Sequence, residues 1–139
     1  MLVHGGGGHA FLSWVKMWND RGYAAIAMDN TGFFPASVNA GETEGTQGYT
    51  YGLSGIFQED GYVNAPNNDG MSSSEGAVEN MWMYHAVGAV IRSFSILSQS
   101  GKVAPDKIGV VGISWGAVIT SIYLGYDSRP AFAVPIYGS

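Results

Sequence analysis

Apolar residues along this chain follow two rhythms, one helical and one extended. Between Ala10 and Arg21, Phe11, Trp14, Val15 and Trp18 recur at i, i+3, i+4 and i+7. That spacing places them on one helical face, and Gly22 offers a C-terminal stop. Tyr23 to Met28 is instead an unbroken apolar run closed by Asp29 to Gly32. It predicts a strand covered on both sides. Ahead of these, Met1 to His4 reads as a short buried strand running into Gly5 to Gly8. The helical rhythm returns in Val78, Met81, Trp82, Val87, Val90, Ile91, Phe94 and Leu97, behind a Ser72-x-x-Glu75 capping box, and stops at Gly101. Val103 to Lys107 turns the chain through Pro105, and Ile108 to Gly112 is a buried strand. Ala117 to Leu124 reads as a helix halted by Gly125, and Ala131 to Tyr137 as a last strand.

Strands alternating with helices predict an α/β fold, because only a parallel sheet flanked by helices buries both kinds of face. The expectation is one domain over residues 1–139: a doubly wound parallel sheet of four strands in the spatial order second, first, third, fourth. Residues 33 to 71 interrupt this pattern. They are rich in Gly, Asn, Thr and Tyr, with no sustained period, and such a stretch inside a compact domain reads as a functional loop, a lid or disorder. Its acids, Glu42, Glu44, Glu59, Asp60 and Asp69, show no helical pairing, which favours solvated positions over a metal site.

Composition narrows the partners. Charged residues are 12% of the chain, against about 25% in an ordinary domain, and hydrophobic ones 46%. The net charge is −5 with no basic run, so a nucleic-acid partner is not expected. With no cysteine, disulfides, thiolate chemistry and zinc–cysteine sites are excluded. No membrane-spanning stretch and no secretory signal are read in this sequence. No cofactor is implied.

The chemistry concentrates at Gly112-Ile113-Ser114-Trp115-Gly116. G-x-S-x-G alone is a weak pattern in a chain with 21 glycines, but here a strand feeds it and a helix leaves it. A sharp strand-to-helix turn presents a serine hydroxyl at the strand's carboxyl end, and glycines at Gly112 and Gly116 remove side chains that would collide. The helix N-terminus offers unpaired N–H groups and a partial positive charge to a developing oxyanion. The plainer alternative is a glycine-flanked turn with a capping serine. His4-Gly5-Gly6-Gly7-Gly8 can bring a second N–H donor beside the first, with Gly6 the first choice and Gly7 the second. A nucleotide-binding glycine turn, as in a flavodoxin-like phosphate binder, is the rival there. It wants G-x-G-x-x-G, which Gly6, Gly8 and Phe11 do not supply. His4 reads as a loop-stabilising residue rather than a base.

With these residues on the page, the chain resembles the α/β-hydrolase superfamily, in its acetyl xylan esterase and dienelactone-hydrolase-like group of serine esterases. The matching text is VHGGGGHAF, then GYAAIAMDNTG, then PDKIGVVGISWGAVITSIYLGYDSRPAFAVPIYG, most of the chain outside the 33–71 excursion. The resemblance implies Ser114 as nucleophile and the amides of Trp115 and the Gly6 region as oxyanion hole. It implies short acyl esters of sugars or other alcohols as substrates. In that group the triad acid and histidine follow the serine, whereas here Asp127 is the sole acid after Ser114 and no histidine follows it. Asp127 reads as a turn residue. The sequence therefore reads as the central segment of a longer hydrolase, inactive or nearly so alone. A non-catalytic binding module that keeps the hydrolase core is the other reading. The final strand, 131–137, is expected at a sheet edge open to self-association.

Overall fold

A computed structural model describes residues 1–6, 10–30, 34–35, 51–52 and 82–138, with side chains outside 34–35 and 51–52. Strands and helices are numbered in chain order. Strands β1 (Leu2–Val3), β2 (Ala27–Met28), β5 (Gly109–Ile113) and β6 (Phe132–Ile136) form one parallel sheet in the order β2-β1-β5-β6. Spatially that is second, first, third, fourth, as the alternation of elements predicts. Two further short strands, β3 (Phe34–Pro35) and β4 (Tyr51–Gly52), pair antiparallel within the 33–71 excursion. The capping box at Ser72 and Glu75, with Val78 and Met81, lies outside the described residues.

The helices are α1 (Leu12–Asn19), α2 (Trp82–Gln99) and α3 (Trp115–Tyr126). The crossover from β1 to β2 runs one way across the sheet, and those from β2 to β5 and from β5 to β6 run the other. Right-handed crossovers then put α1 on one face and α2 with α3 on the opposite face. The core lies between that second pair and the sheet: Val3, Val90, Phe94, Val110, Ile119 and Tyr123 are all essentially buried. Each such side chain contributes about 1.5–3 kcal/mol on leaving water. No residue of α1 is fully buried, so its aromatic face covers the sheet only loosely. Gly22 ends that segment in the left-handed conformation, φ 83°, which suits glycine.

Two expectations are corrected. The run Tyr23 to Met28 forms a strand only at Ala27–Met28, and Tyr23 is 60% exposed. The cause is the partner. β1 offers two residues, so the ladder closes after Leu2↔Ala27 and Val3↔Met28 and leaves Tyr23 to Ala25 outside it. Gly125 does not halt α3 either; the helix continues to Tyr126, and Asp127 closes it by donating its N–H to the Tyr123 carbonyl at 2.9 Å.

β6 is the other edge, as expected. The Ile136 carbonyl faces inward, accepting the Ser114 N–H at 2.9 Å, so by alternation Pro135 faces outward. A proline with its nitrogen outward removes one donor from the open edge.

Beyond α3, Asp127 and Arg129 form a clamp. Arg129 Nε donates to both carboxylate oxygens of Asp127, at 2.8 and 3.0 Å, and Nη2 adds an ion pair at 2.5 Å. The guanidinium also lies 4.6 Å over the Phe94 ring and reaches Ser95 Oγ at 3.1 Å, joining this turn to α2. The hydrogen bonds from Arg129 hold the Asp127 pKa down at about 2. Burial raises the Tyr123 pKa, and the neighbouring Asp127 charge adds to that. A carboxyl with a depressed folded pKa stabilises above its unfolded value of 3.8 and loses that contribution as pH falls toward 2. Arg129 is half exposed, so solvent discounts the pair to about 1–2 kcal/mol. The expected result is that urea midpoints of Asp127→Asn and the parent differ at pH 5 and converge near pH 2. A gap that persists at pH 2 counts against this account.

Candidate active site

Ser114 stands between the last residue of β5 and the first of α3, with φ 55° and ψ −122°. This backbone is neither helical nor extended, and it is rare for any residue with a Cβ. A capping serine has an extended backbone and a side chain that accepts an N–H of the first turn. Ser114 has neither: its hydroxyl makes no cap bond. The first-turn amides of Ala117 and Val118 turn instead to its carbonyl, at 2.8 and 3.2 Å. The hydroxyl is thus released from structural duty at the positive end of α3. The Trp115 N–H, at the first helical position, has no intrahelical acceptor.

Both flanking glycines are sterically required. A Cβ on Gly112 runs into the Gly116 carbonyl and the Thr120 hydroxyl. A Cβ on Gly116 runs into the Val3 and His4 carbonyls, so this glycine serves the contact between α3 and β1. Collision between the flanks themselves accounts only for Gly112.

The glycine bend after β1 meets the serine through Gly5. A Cβ there stands 3.0 Å from Ser114 Cβ, 3.1 Å from the Ile113 carbonyl oxygen and 3.6 Å from Ser114 Oγ, so the bend lies in close contact with the serine. Gly6 follows as an exposed turn residue. Gly7, Gly8 and His9 lie outside the described residues.

His4 is buried beneath this bend at 1% exposure. Its Nε2 accepts the Asn30 N–H at 3.0 Å, which makes the ring a neutral tautomer with the proton on Nδ1. Nδ1–H then donates to the Gly5 carbonyl at 2.7 Å. Asn30 Nδ2 donates to the His4 carbonyl at 2.8 Å, and Trp82 Nε1–H to the Asn30 carbonyl at 2.7 Å. The Asp29 carboxylate lies 3.7 Å from Nε2, too far to compete with the Asn30 amide for that nitrogen. His4 therefore braces the loop, with both ring nitrogens engaged.

Among the described residues, no side chain hydrogen-bonds the Ser114 hydroxyl. His85 sits half-buried on α2 against the Tyr84 ring, with centroids 5.3 Å apart. Asp127 is separated from Ser114 by the whole of α3, 12 residues or about 18 Å. A pocket of about 290 Å³ opens at the opposite end of the sheet, among Met1, Trp18, Tyr23, Leu97, Gly109 and Phe132. Gly109 and Phe132 begin strands that Ser114 and Tyr137 follow, so this hollow is remote from the serine. The described residues hold no group of three or more His, Asp or Glu placed to bind a metal.

Asn30 and Trp82 adjoin this candidate site without being singled out by the sequence pattern, whereas Gly5 falls within the glycine run that it picks out. Asn30 follows Asp29 at a strand end, which was a usable signal once β2 was placed beside β1. Trp82 read only as one member of an apolar stripe. Comparison with protein-family models, with curated proteins and with solved structures finds no match to this chain.

Proposed function

We propose that this chain carries the nucleophile and oxyanion hole of a serine carboxylic-ester hydrolase of α/β-hydrolase type, acting on short acyl esters of sugars or other alcohols. The observation that supports it most is the Ser114 backbone, held at φ 55° with an uncommitted hydroxyl beside Gly5 and the start of α3. In the first step Ser114 Oγ bonds to the ester carbonyl carbon, its proton passes to a base, and the carbonyl oxygen becomes an oxyanion. The Trp115 and Gly6 amides receive that charge. Each such donor is worth about 3 kcal/mol in the transition state. The C–O bond to the alcohol then breaks, the alcohol leaves with a proton, and water releases the acyl group by the reverse sequence.

Among the described residues, no side chain is placed as that base. His4 is committed to Gly5 and Asn30, and no histidine follows Ser114. Loss of a triad member costs roughly four to six orders of magnitude in related serine hydrolases. The 139-residue chain is thus expected to show no p-nitrophenyl acetate turnover above a Ser114→Ala control. Excess fluorophosphonate, whose reaction draws on the hole and the nucleophile, is expected to leave a slow adduct on Ser114 and none on Ser114→Ala, read by peptide mass. No adduct on the parent chain counts against the esterase reading and for a non-catalytic core. Thermal stabilisation by nucleotides or flavins instead points to a phosphate site at the glycine bend. Serine-dependent turnover implies a base from His9 or another chain.

A further inference from the structure

The two amides assigned to the oxyanion hole belong to segments distant in sequence, Gly6 after β1 and Trp115 at the start of α3. One residue touches the support of both. Trp82 Nε1–H donates to the Asn30 carbonyl at 2.7 Å, and the Asn30 N–H donates to His4 Nε2 at 3.0 Å. His4 Nδ1–H in turn donates to the Gly5 carbonyl at 2.7 Å. That carbonyl and the Gly6 N–H are two ends of one peptide plane. A trans peptide is rigid and points them in opposite directions. Fixing the carbonyl against the buried ring therefore aims the Gly6 N–H away from it, out of the core. On its other side, Trp82 packs edge-on against the Trp115 ring, centroids 5.6 Å apart at 85°. Trp82 is 2% exposed and Asn30 also 2%, so the relay runs where water does not compete for its bonds.

We propose that Trp82 is a positioning residue, holding the Gly6 and Trp115 amides at a fixed mutual placement through a polar branch and a stacking branch. This deepens the esterase reading and rests on it for its chemical purpose, but the mechanical coupling is separately measurable. Three hydrogen bonds in series reach Gly6, and a single aromatic contact reaches Trp115. Phenylalanine at position 82 removes the indole N–H and shrinks the ring against Trp115, so it touches both branches, whereas a change at His4 touches the polar one alone.

The experiment uses the 15N-labelled 139-residue chain and its Trp82→Phe variant, with folding checked by circular dichroism. Trp82→Phe is expected to lower the order parameter of the Gly6 amide and to shift the Gly6 and Trp115 amide resonances. The Ile119 and Tyr123 amides, deeper in α3, stay in place. His4→Gln, which interrupts the polar branch alone, is expected to loosen Gly6 and leave Trp115 unshifted. An unmoved Gly6 in a folded Trp82→Phe overturns the proposal. So does equal loosening at Ile119 and Tyr123, which makes Trp82 an ordinary core residue. If Trp82→Phe does not fold, His4→Gln decides: Gly6 unchanged there overturns the relay. Fluorophosphonate labelling of Ser114 supplies the chemical readout, with about a tenfold slower rate expected in Trp82→Phe and an unchanged pH profile. Amide changes as expected with no labelling of the parent chain leave the coupling standing and count against the esterase reading instead.

Discussion

Alanine at Gly116 is expected to cost about 3–4 kcal/mol of stability. The added Cβ meets the Val3 and His4 carbonyl oxygens, with the Val3 carbonyl carbon only 2.8 Å away. These atoms are backbone. They belong to or adjoin β1, which is paired on both sides, to β2 and to β5, so they cannot turn aside like a flexible side chain. The first turn of α3 must lift instead. That movement strips cover from Val3, pulls on the Ser114 amide held by Ile136, and opens the contact between Trp115 and Trp82. Gly125→Ala is the matched control, in the same helix with nothing within 4 Å of the new methyl. Helix propensity there favours alanine by up to about 1 kcal/mol. Urea unfolding should separate the two variants by a wide margin. Equal midpoints mean that α3 slides freely on β1, and the packing account of Gly116 fails.

The same contrast explains what the sequence made legible. The unit from β5 through Ser114 to α3 was readable because three local signals agree. A β-branched strand ends, two glycines bracket one serine, and a helical rhythm begins. The sheet order followed from alternation and short connections, since parallel strands joined by right-handed crossovers allow few arrangements. Tyr23 to Ile26 departs from its apolar pattern because apolar character alone guarantees neither pairing nor burial: Tyr23 and Ala24 are exposed. Tyr23 meets its apolar partner edge-on in the Trp18 ring, at 5.5 Å, while β1 is too short to extend the ladder. Gly125 does not stop the helix because its cost of up to about 1 kcal/mol is met by the packing of the buried Tyr123 in the same turn, and the helix ends only where Asp127 turns to Arg129. Asn30 and Trp82 were hidden for another reason. Their function lies in a backbone carbonyl, a backbone amide and one indole N–H, which hydropathy does not register. Their partners are 26 and 52 residues away in sequence. Only the placement of β2 beside β1 brings them under the glycine bend.

Glycine at position 114 is expected to raise stability while abolishing the fluorophosphonate adduct. At φ 55° and ψ −122° the Ser114 backbone is the mirror image of an extended conformation, and a residue with a Cβ pays about 1–3 kcal/mol to stay there. Glycine adopts it without that strain but gives the unfolded chain more freedom, worth about 0.5–1 kcal/mol against folding. The net expectation is a gain of about 1 kcal/mol, read as a higher urea midpoint. Ser114→Ala keeps the Cβ and the strain and loses only the hydroxyl, so its midpoint should stay within about 0.5 kcal/mol of the parent. The pair separates cause from coincidence. If the strain is real, glycine exceeds alanine, and neither forms an adduct. If the two variants unfold together, the turn stores no strain, and the argument that Ser114 is held in a costly backbone for the sake of its hydroxyl loses its physical basis. A strained residue that a smaller one would relieve is a candidate functional position, because backbone strain of this kind clusters where the geometry it produces is used.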